Sequence, residues 1–526
     1  MRRFWTGVAM PRILYAADVF LTPQIRRKTD PEAQCSGRAV IKKLTSIQRR
    51  AAIAITGGMT SSPTDTLDVM AGITPFHLAV ERHRLQAALR LAALPPTHPL
   101  HNAVRNAANR FVKSHPTPLH FMMHELAQYG VEPEFMEKIA ATRQSNKWQA
   151  KHTIAIEETK EVAMLVDTVD ETEIQVYADG SGIGGMIGAA AVLYRRVEVE
   201  EDGNESEIVQ RERGTLSYQL GDATCHTVYE GEEVGILLAL ELIRRETRVR
   251  QAAICIDNQA AIRASISIKP TPGHHIMDAI HQLHTLVVKK HRSLKLHIRW
   301  VPGHMDITGN EAADEAAREA AAGESSTTVQ LPTYLRNPLP DSRTAARQTI
   351  RANIDQLAAG VWKRSPRHDR VTKRLTLPDK KVYRSLETLP RKHASLITQI
   401  VTGHIPLAAH LFRIRKSESP QCPACHEHEE TVDHFIMHCP VHNTPRTQLL
   451  RGLNQSQRNI THLLTTKELR TRLLNYVAAT GRMRSVYGDI PTLDERAVED
   501  EEEREGHGSE GEDNETEAEA AADEGT

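Results

Sequence analysis

The chain has 526 residues, a quarter of them charged, and its 66 basic and 67 acidic side chains nearly cancel. This length exceeds what one hydrophobic core supports and predicts three or four domains. No apolar run reaches the roughly 18 residues of a membrane-spanning helix, and the N-terminal apolar run is broken by Pro11, which makes it a poor signal peptide. We therefore expect an intracellular protein, nuclear or cytoplasmic, with no membrane partner.

The charges are unevenly distributed along the chain. From Glu499 to the C-terminus there are 14 acidic residues and one basic residue, which leaves 65 basic and 53 acidic side chains in the rest. A basic body predicts a nucleic-acid partner, although a merely well-solvated surface has the same composition. The acidic tail, residues 491–526, has too few apolar residues to fold and is expected to be disordered.

Residues 1–150 are predicted to be helical. Apolar residues recur at helical spacing in Ile41–Gly58, with lysines and arginines on the opposite face. A second helix begins after Thr74 as N-cap, with Pro75 in its first turn, and runs to Pro95. This pattern favours a helical bundle with a solvated basic face. The alternative is that this face contacts a nucleic-acid backbone.

An α/β domain is predicted for residues 173–323, after a linker at 151–172. Alternating and short apolar runs predict five strands in one sheet, and segments with helical periodicity predict flanking helices. The strands are expected at Ile174–Ala178, Gly188–Arg195, Ile208–Leu220, Ala252–Asp257 and within Leu294–Trp300, and the helices at Thr227–Arg245, Gln259–Ile266, Ile276–His291 and from Asn310.

Four carboxylates lie near the ends of these elements. Asp179 follows the first strand, Asp257 ends the fourth, Glu232 lies early in a buried helix, and Asp314 lies one turn into the last helix. If the two strands are parallel neighbours, their aspartates lie about 5 Å apart. Such like charges are unfavourable without cations, and carboxylate oxygens are the ligands that Mg²⁺ prefers. The sequence therefore predicts a site for two Mg²⁺ ions that is suited to phosphodiester hydrolysis.

The segments around these acids resemble type-1 ribonuclease H. The similar motifs are ADGS at 178–181, YEGEEVGILLAL at 229–240, CIDNQAAI at 255–262 and WVPGHMDITGNEAADEAA at 300–317. The resemblance implies an RNase H-like mixed sheet, and cleavage of the RNA strand of RNA–DNA hybrids to leave 3′-hydroxyl and 5′-phosphate ends. It also implies that Asp179, Glu232, Asp257 and Asp314 bind Mg²⁺, and that His304 assists proton transfer or product release.

The glutamate of this set has competitors. Counting back from Ala239 and Leu240, which align with the family, assigns Glu232, but Glu230 and Glu233 are neighbouring alternatives. The resemblance further implies that three residues next to the aspartates contact the nucleic acid, namely Ser181, Asn258 and Gln259.

The C-terminal part, residues 341–490, is predicted to be helical and basic, after a linker at 324–340 that is rich in Ser, Thr and Pro. At 422–439 it contains four residues with metal-ligand spacing, Cys422, Cys425, His434 and Cys439. Three thiolates and an imidazole form a closed tetrahedral Zn²⁺ site. His438 and His442 are competing ligands. Acidic residues in the intervening loop would repel phosphates, which favours a structural zinc over direct nucleic-acid recognition.

Segments on both sides of the α/β domain resemble non-LTR retrotransposon proteins. They are PRILYAADVF, LTSIQRRAAIAITGG, SSPTDTLDVMAGITPFHLAVE and LPPTHPL near the N-terminus, ITQIVTGHIPLAAHLFRIRKSES before the cysteines, and the Cys–His segment itself. No polymerase is expected, because the second aspartate of a two-metal polymerase hairpin is missing after Asp179. We expect a retrotransposon-derived hybrid ribonuclease, and the alternative is an inert nucleic-acid-binding remnant.

Overall fold

The computed structural model describes residues 1–21, 36–110, 116–145, 148–200, 206–303 and 305–493. These residues group into two units. The first comprises the described residues of 18–25 and 82–353, and the second those of 1–17, 26–81 and 354–493. Most of the acidic tail and His304 lie outside the described residues. In the described part of the chain, no helix is both long and apolar enough to cross a bilayer.

A six-stranded mixed sheet forms the centre of the first unit. Its strands are β1 Thr153–Ala155, β2 Ile174–Ile183, β3 Met186–Glu200, β4 Ser206–Asp222, β5 Gln251–Ile256 and β6 Lys295–Trp300. Their order across the sheet is β1-β6-β5-β2-β3-β4. The β2–β3 and β3–β4 pairs are antiparallel, and the other three pairs are parallel. This arrangement confirms the predicted RNase H-like mixed α/β fold.

Four helices flank the sheet, close to their predicted positions. They are α1 Val228–Arg245, α2 Gln259–Ser265, α3 His274–Lys290 and α4 Thr308–Ala321. A capping box between Thr227 and Glu230 begins α1. The larger core contains Val176 and Ala178 of β2 together with the apolar residues of α1 and α3. Because side chains alternate along a strand, Tyr177 points to the other face, where it packs with Ala313 of α4.

The segment predicted as a linker at 151–172 is part of this sheet, so the predicted number of five strands is wrong. β1 pairs in parallel with β6 from Thr153 to Ala155. The segment also contains a helix, Lys160–Val169, whose N-cap Thr159 accepts a hydrogen bond from the backbone N–H of Val162. A strand of three residues is too short to show an alternating pattern. Its position is determined by pairing with the open edge of β6.

The second predicted linker, 324–340, is also packed. The hydroxyl of Ser326 accepts a hydrogen bond from the backbone N–H of Ser217 in β4, at 3.0 Å. Further along, Leu331, Leu335 and Leu339 are buried in the core of the sheet. Polar composition predicted a linker here, but three leucines spaced four residues apart are sufficient to hold the segment on the domain.

The remaining helices belong mainly to the segments before and after the α/β domain. They are Arg2–Phe4, Met10–Ile13, Ala17–Phe20, Ser36–Thr56, Thr64–Met70, Phe76–Ala92, His101–Asn109, Pro118–Gln128, Arg343–Lys363, His368–Thr372, Lys380–Glu387, Arg391–Thr402, Ala408–Arg413, Asn443–Leu449, Ile460–Leu463, Lys467–Thr480 and Arg484–Tyr487. Both N-terminal helices predicted from the sequence are present.

The described residues of 1–150 are divided between the two units. Met70 lies in one hydrophobic core with Trp362 and Ile397, in the second unit. Arg143, in contrast, donates from Nε to Asp278 Oδ1 of α3 at 3.0 Å, in the first unit. Helical periodicity located the helices, but it contains no information about which distant segment covers each apolar face.

Candidate active site and zinc centre

Two aspartates meet where β2 and β5 separate. The parallel pairing of these strands ends at Tyr177 and Cys255. Asp179 and Asp257 each lie two residues beyond this pair, so they emerge side by side, as the sequence predicted. β2 itself does not end at Asp179, because it continues to Ile183 in antiparallel pairing with β3.

Glu232 reaches the same place from helix α1. The helix approaches β2 closely because glycines face the strand: a Cβ atom at Gly235 would lie 3.2 Å from the Cβ of Ala178. As a result, Asp179, Glu232 and Asp257 each offer a carboxylate oxygen, and these oxygens lie within 4.8 Å of one another. We refer to these three residues as the acidic triad.

Asp179 and Glu232 are buried, Asp257 is half-buried, and the charges of the three carboxylates repel. Burial, and then the charge of Asp257, raise the pKa of Asp179 from 3.8 to about 7. Burial, and then the charges of Asp179 and Asp257, raise the pKa of Glu232 well above its ordinary value. Oε2 of Glu232 is buried and has no hydrogen-bond partner. Such a set is stabilised by shared protons or by a cation, and its hard oxygen donors fit a divalent ion.

The triad lies in an open cavity of about 730 Å³, whose other wall is the beginning of α4. Asp314 is on this wall, but it is not within the 4.8 Å set of described ligand atoms. Its carboxylate is ion-paired with Arg318, one turn later in the same helix. Its charge nevertheless contributes to raising the pKa of Asp179, after burial and Asp257. Arg318 was not among the predicted site residues, although its i, i+4 spacing from Asp314 is a signal for an ion pair.

The structure separates Glu232 from its competitors. Glu230 accepts a hydrogen bond from the backbone N–H of Thr227 at 2.8 Å, and therefore serves as part of the helix cap. Glu233 points toward Gly273, at which a Cβ atom would lie 2.9 Å from its Oε2. Burial, and then the charge of Glu230, raise the pKa of Glu233 well above its ordinary value. Only Glu232 of the three joins the triad.

The other predicted site residues are close in sequence to the triad. Asn258 is the N-cap of α2, and its Oδ1 accepts from the backbone N–H groups of Ala260 and Ala261 at 3.0 and 3.1 Å. Gln259 accepts at Oε1 from Arg263 at 3.0 Å. Ser181 is half-buried on β2. His304 lies outside the described residues, but a Cβ atom at the preceding Gly303 would lie 2.6 Å from Asp257 Oδ2.

A Cys₃His zinc site lies in the second unit. The ligand atoms of Cys422, Cys425, His434 and Cys439 lie within 4.8 Å of one another. The sulfurs of Cys422 and Cys439 are 3.8 Å apart, and the sulfur of Cys425 is 3.4 Å from His434 Nε2. Backbone hydrogen bonding to its sulfur, first from Glu427, lowers the pKa of Cys425, which favours the thiolate that a metal requires.

The competing histidines have other contacts. His438 pairs with Asp433 at 3.0 Å on the surface, and His442 packs edge-on against the ring of Phe435. The acidic loop between the ligands is less repulsive than predicted, because Glu430 is buried and accepts from Arg482 Nε at 2.6 Å. Glu430 Oε2 also accepts from the backbone N–H of Ala408 at 2.6 Å, which fixes helix Ala408–Arg413 to the zinc loop.

Comparisons with known proteins find similarity in two parts of the chain. A family model for zinc-binding in reverse transcriptase matches residues 368–444. Solved structures similar to this chain include the N-terminal RNase H domain of a Mycobacterium tuberculosis protein, at 18% identity, covering 29% of this chain and 95% of that one, with a TM-score of 0.21.

Two other ribonucleases are similar over the same extent. RNase H1 of the archaeon Halobacterium salinarum is 18% identical, and the match covers 29% of this chain and 98% of that one. LC11-RNase H1, solved with an RNA/DNA hybrid, is 17% identical, and the match covers 28% of this chain and 96% of that one. Both have TM-scores of 0.21. A comparison with curated proteins finds no match.

Proposed function

We propose that this protein cleaves the RNA strand of RNA–DNA hybrids and depends on Mg²⁺ held by the acidic triad. The observation that supports this proposal is the convergence of three carboxylates, with ligand oxygens within 4.8 Å, in the lining of an open cavity. A buried oxygen of Glu232 without a hydrogen-bond partner is a second support, because an unpaired buried carboxylate is unfavourable unless a cation or proton accompanies it.

Each residue of the site has a proposed role. When bound, two divalent ions supply an activated water and stabilise the leaving oxygen of a phosphodiester. Asp179 and Asp257 provide negative charge from adjacent strands, and Glu232 provides the buried oxygen. Asp314 is proposed as a further ligand, and to act as one it would release Arg318. We assign proton transfer or product release to His304.

The nucleic acid would be contacted beside the triad. Asn258 uses its amide oxygen as a helix cap, which leaves its NH₂ group as the donor for a substrate. Gln259 begins the same helix, and Ser181 follows Asp179 by two residues on β2. We propose that these three side chains contact the hybrid. The zinc-binding segment supports a derivation of the chain from a retrotransposon protein.

The second candidate is an inert nucleic-acid-binding remnant with the same fold. A labelled RNA–DNA hybrid, and the same RNA alone, would be incubated with the full-length protein with and without Mg²⁺. We expect cleavage of RNA in the hybrid, only with Mg²⁺, and none of RNA alone. Absence of cleavage by protein that binds the hybrid and contains zinc would favour the inert remnant.

A further inference from the structure

A basic cluster forms in the second unit from segments that are distant in the sequence. We call it the histidine–arginine cluster, and its members are Ser61, Arg367, Arg370, His404, His410 and Arg413. Ser61 precedes helix Thr64–Met70, and His410 and Arg413 lie on helix Ala408–Arg413. The two imidazole rings lie 4.6 Å apart between their centroids.

The hydrogen bonds of this cluster run in one direction. Arg413 Nη2 donates to His410 Nδ1 at 2.7 Å, and a guanidinium can only donate. The proton of His410 is therefore on Nε2, which donates to Ser61 Oγ at 3.0 Å. The proton of the Ser61 hydroxyl is then available to His404 Nδ1, which lies 3.2 Å from Oγ, and we infer that His404 has its own proton on Nε2. Both imidazoles are thereby neutral, with fixed tautomers.

The positive charge of the cluster comes from the arginines. Burial, and then the charge of Arg413, lower the pKa of His410 to about 4, so this ring stays neutral at physiological pH. Burial and then the neighbouring Arg413 and Arg367 also lower the pKa of Arg370. Arg370 Nη2 also donates to the backbone carbonyl of Thr402 at 3.4 Å, two residues before His404, which places this guanidinium beside the cluster.

Few acids compensate these charges. Among the described residues, the ion pair of the cluster joins Arg367 Nη1 to Asp65 Oδ2 at 3.4 Å, and Ser365 donates to the same oxygen at 2.6 Å. Three guanidiniums against one carboxylate leave two positive charges. Arg370 and Arg413 are exposed, so these charges face solvent.

We propose that the histidine–arginine cluster binds a phosphate of a nucleic-acid backbone. Guanidiniums bind phosphate oxygens in a bidentate manner, and the Nε2–H of His404 adds a neutral donor. Exposed arginines suit a polymer that passes over the surface rather than a small molecule enclosed in a pocket. Residues 1–498 have a net charge of +12, counted from 65 basic and 53 acidic residues, which favours a polyanion.

The zinc centre supports this cluster. Glu430 lies in the loop between Cys425 and His434, and it accepts from the backbone N–H of Ala408, the first residue of helix Ala408–Arg413. That helix carries His410 and Arg413. The zinc loop thereby positions the phosphate-binding side chains without contacting the nucleic acid itself.

The test measures binding of the full-length protein to a labelled DNA duplex across a salt series, without Mg²⁺, so that cleavage plays no part. The double variant Arg370→Gln with Arg413→Gln should bind about tenfold more weakly at low salt, with the salt slope reduced by about 1.8, or 0.9 for each lost phosphate contact. The matched control is Arg451→Gln with Arg484→Gln, which removes the same charge from exposed arginines outside the cluster.

The control pair should bind within about twofold of the unchanged protein. Equal losses in the two double variants, or no loss in the cluster variant, would overturn the proposal. Inorganic phosphate, added at constant ionic strength, is the small-molecule probe. If it binds the unchanged protein but not the cluster variant and leaves the affinity for the duplex unchanged, the cluster binds a free phosphate and the assignment to a backbone is wrong.

A third variant tests the imidazole chain. Ser61→Ala removes the hydroxyl between the rings without changing charge. We expect about threefold weaker binding, corresponding to one lost hydrogen bond, with an unchanged salt slope and unchanged zinc content. Affinity equal to that of the unchanged protein would show that the two histidines do not contribute to the proposed site.

Discussion

Gly180 and Glu232 are in backbone contact: a Cβ atom at Gly180 would lie 2.4 Å from the amide nitrogen of Glu232. Gly231 contributes to the same contact, because its own Cβ would lie 3.1 Å from the Cα of Gly180. The strand that carries Asp179 and the helix that carries Glu232 can therefore meet only if residue 180 has no side chain. The triad depends on this contact.

Gly180→Ala should separate β2 from α1, because backbone atoms cannot move aside as a side chain can. We expect a destabilisation of about 1–3 kcal/mol and a large loss of hybrid cleavage. Gly182→Ala is the matched control, since its Cβ would meet only the side-chain atoms of Val228 at 3.0 Å and Ile187 at 3.4 Å. Thermal melts and cleavage rates of the two variants would be compared. Similar effects of both substitutions would contradict the role of this contact.

The stability of the metal-free protein should depend on pH through Asp179. Its pKa is raised to about 7 in the folded state from 3.8, so folding retains a proton that the unfolded chain releases. The contribution of this group to the free energy of unfolding is fully present below about pH 4 and is lost as pH rises through about 7. Because the neighbouring Glu232 also has a raised pKa, we expect a total effect on the order of 2–4 kcal/mol.

The check is the melting temperature against pH, in buffer freed of divalent ions without a chelator that would remove zinc. Asp179→Asn should melt higher than the unchanged protein at pH 8, and the two should converge near pH 4. Added Mg²⁺ at pH 8 should raise the melting temperature of the unchanged protein and not that of Asp179→Asn. Parallel profiles for both proteins would show that the triad is not strained by its own charge.

The sequence predicted the acidic triad because its elements contain strong local signals. The parallel neighbours β2 and β5 both end their pairing two residues before an aspartate, and this register follows from the apolar runs themselves. The same signals did not predict that Asp314 would pair with Arg318. In our proposal this carboxylate has two alternative partners, the guanidinium of Arg318 and a divalent ion.

Contacts between distant segments could not be predicted. The histidine–arginine cluster joins Ser61 to His404 and His410, more than 340 residues away, and no periodicity links them. β1 was missed for a related reason, since three residues acquire strand structure only from the edge of β6. The zinc ligands were found because a metal site fixes their spacing within 18 residues of sequence.

Zinc should be structural and confined in its effect. We expect about one Zn²⁺ per chain, and its release by Cys422→Ser, with loosening of the second unit because helix Ala408–Arg413 is attached through Glu430. Cys225→Ser is the control, since Cys225 lies in the first unit outside the Cys₃His set. Metal analysis and proteolysis would measure these effects. Zinc retained by Cys422→Ser at full stoichiometry would contradict the ligand assignment.

The acidic tail, outside the described residues, should compete with nucleic acid for the basic body. Truncation after Ala497 removes a tethered polyanion present at high local concentration, so binding to a hybrid or duplex should tighten at low salt. The gain should fade as salt rises, with a slope of roughly −0.9 for each phosphate contact. Equal affinities of full-length and truncated proteins at low salt would leave only a role in solubility.

The cleavage rate of a labelled RNA–DNA hybrid with Mg²⁺, compared between Glu232→Gln and Glu233→Gln, tests the central claim most directly. The two glutamates are adjacent and buried, but only Glu232 joins Asp179 and Asp257. Gln resembles the protonated acid that the raised pKa of Glu233 favours, so this substitution should change the rate by less than about threefold. Glu232→Gln should lower the rate at least about a thousandfold, or roughly 4 kcal/mol of barrier, as should Asp179→Asn and Asp257→Asn. Near-normal cleavage by Glu232→Gln would contradict the account.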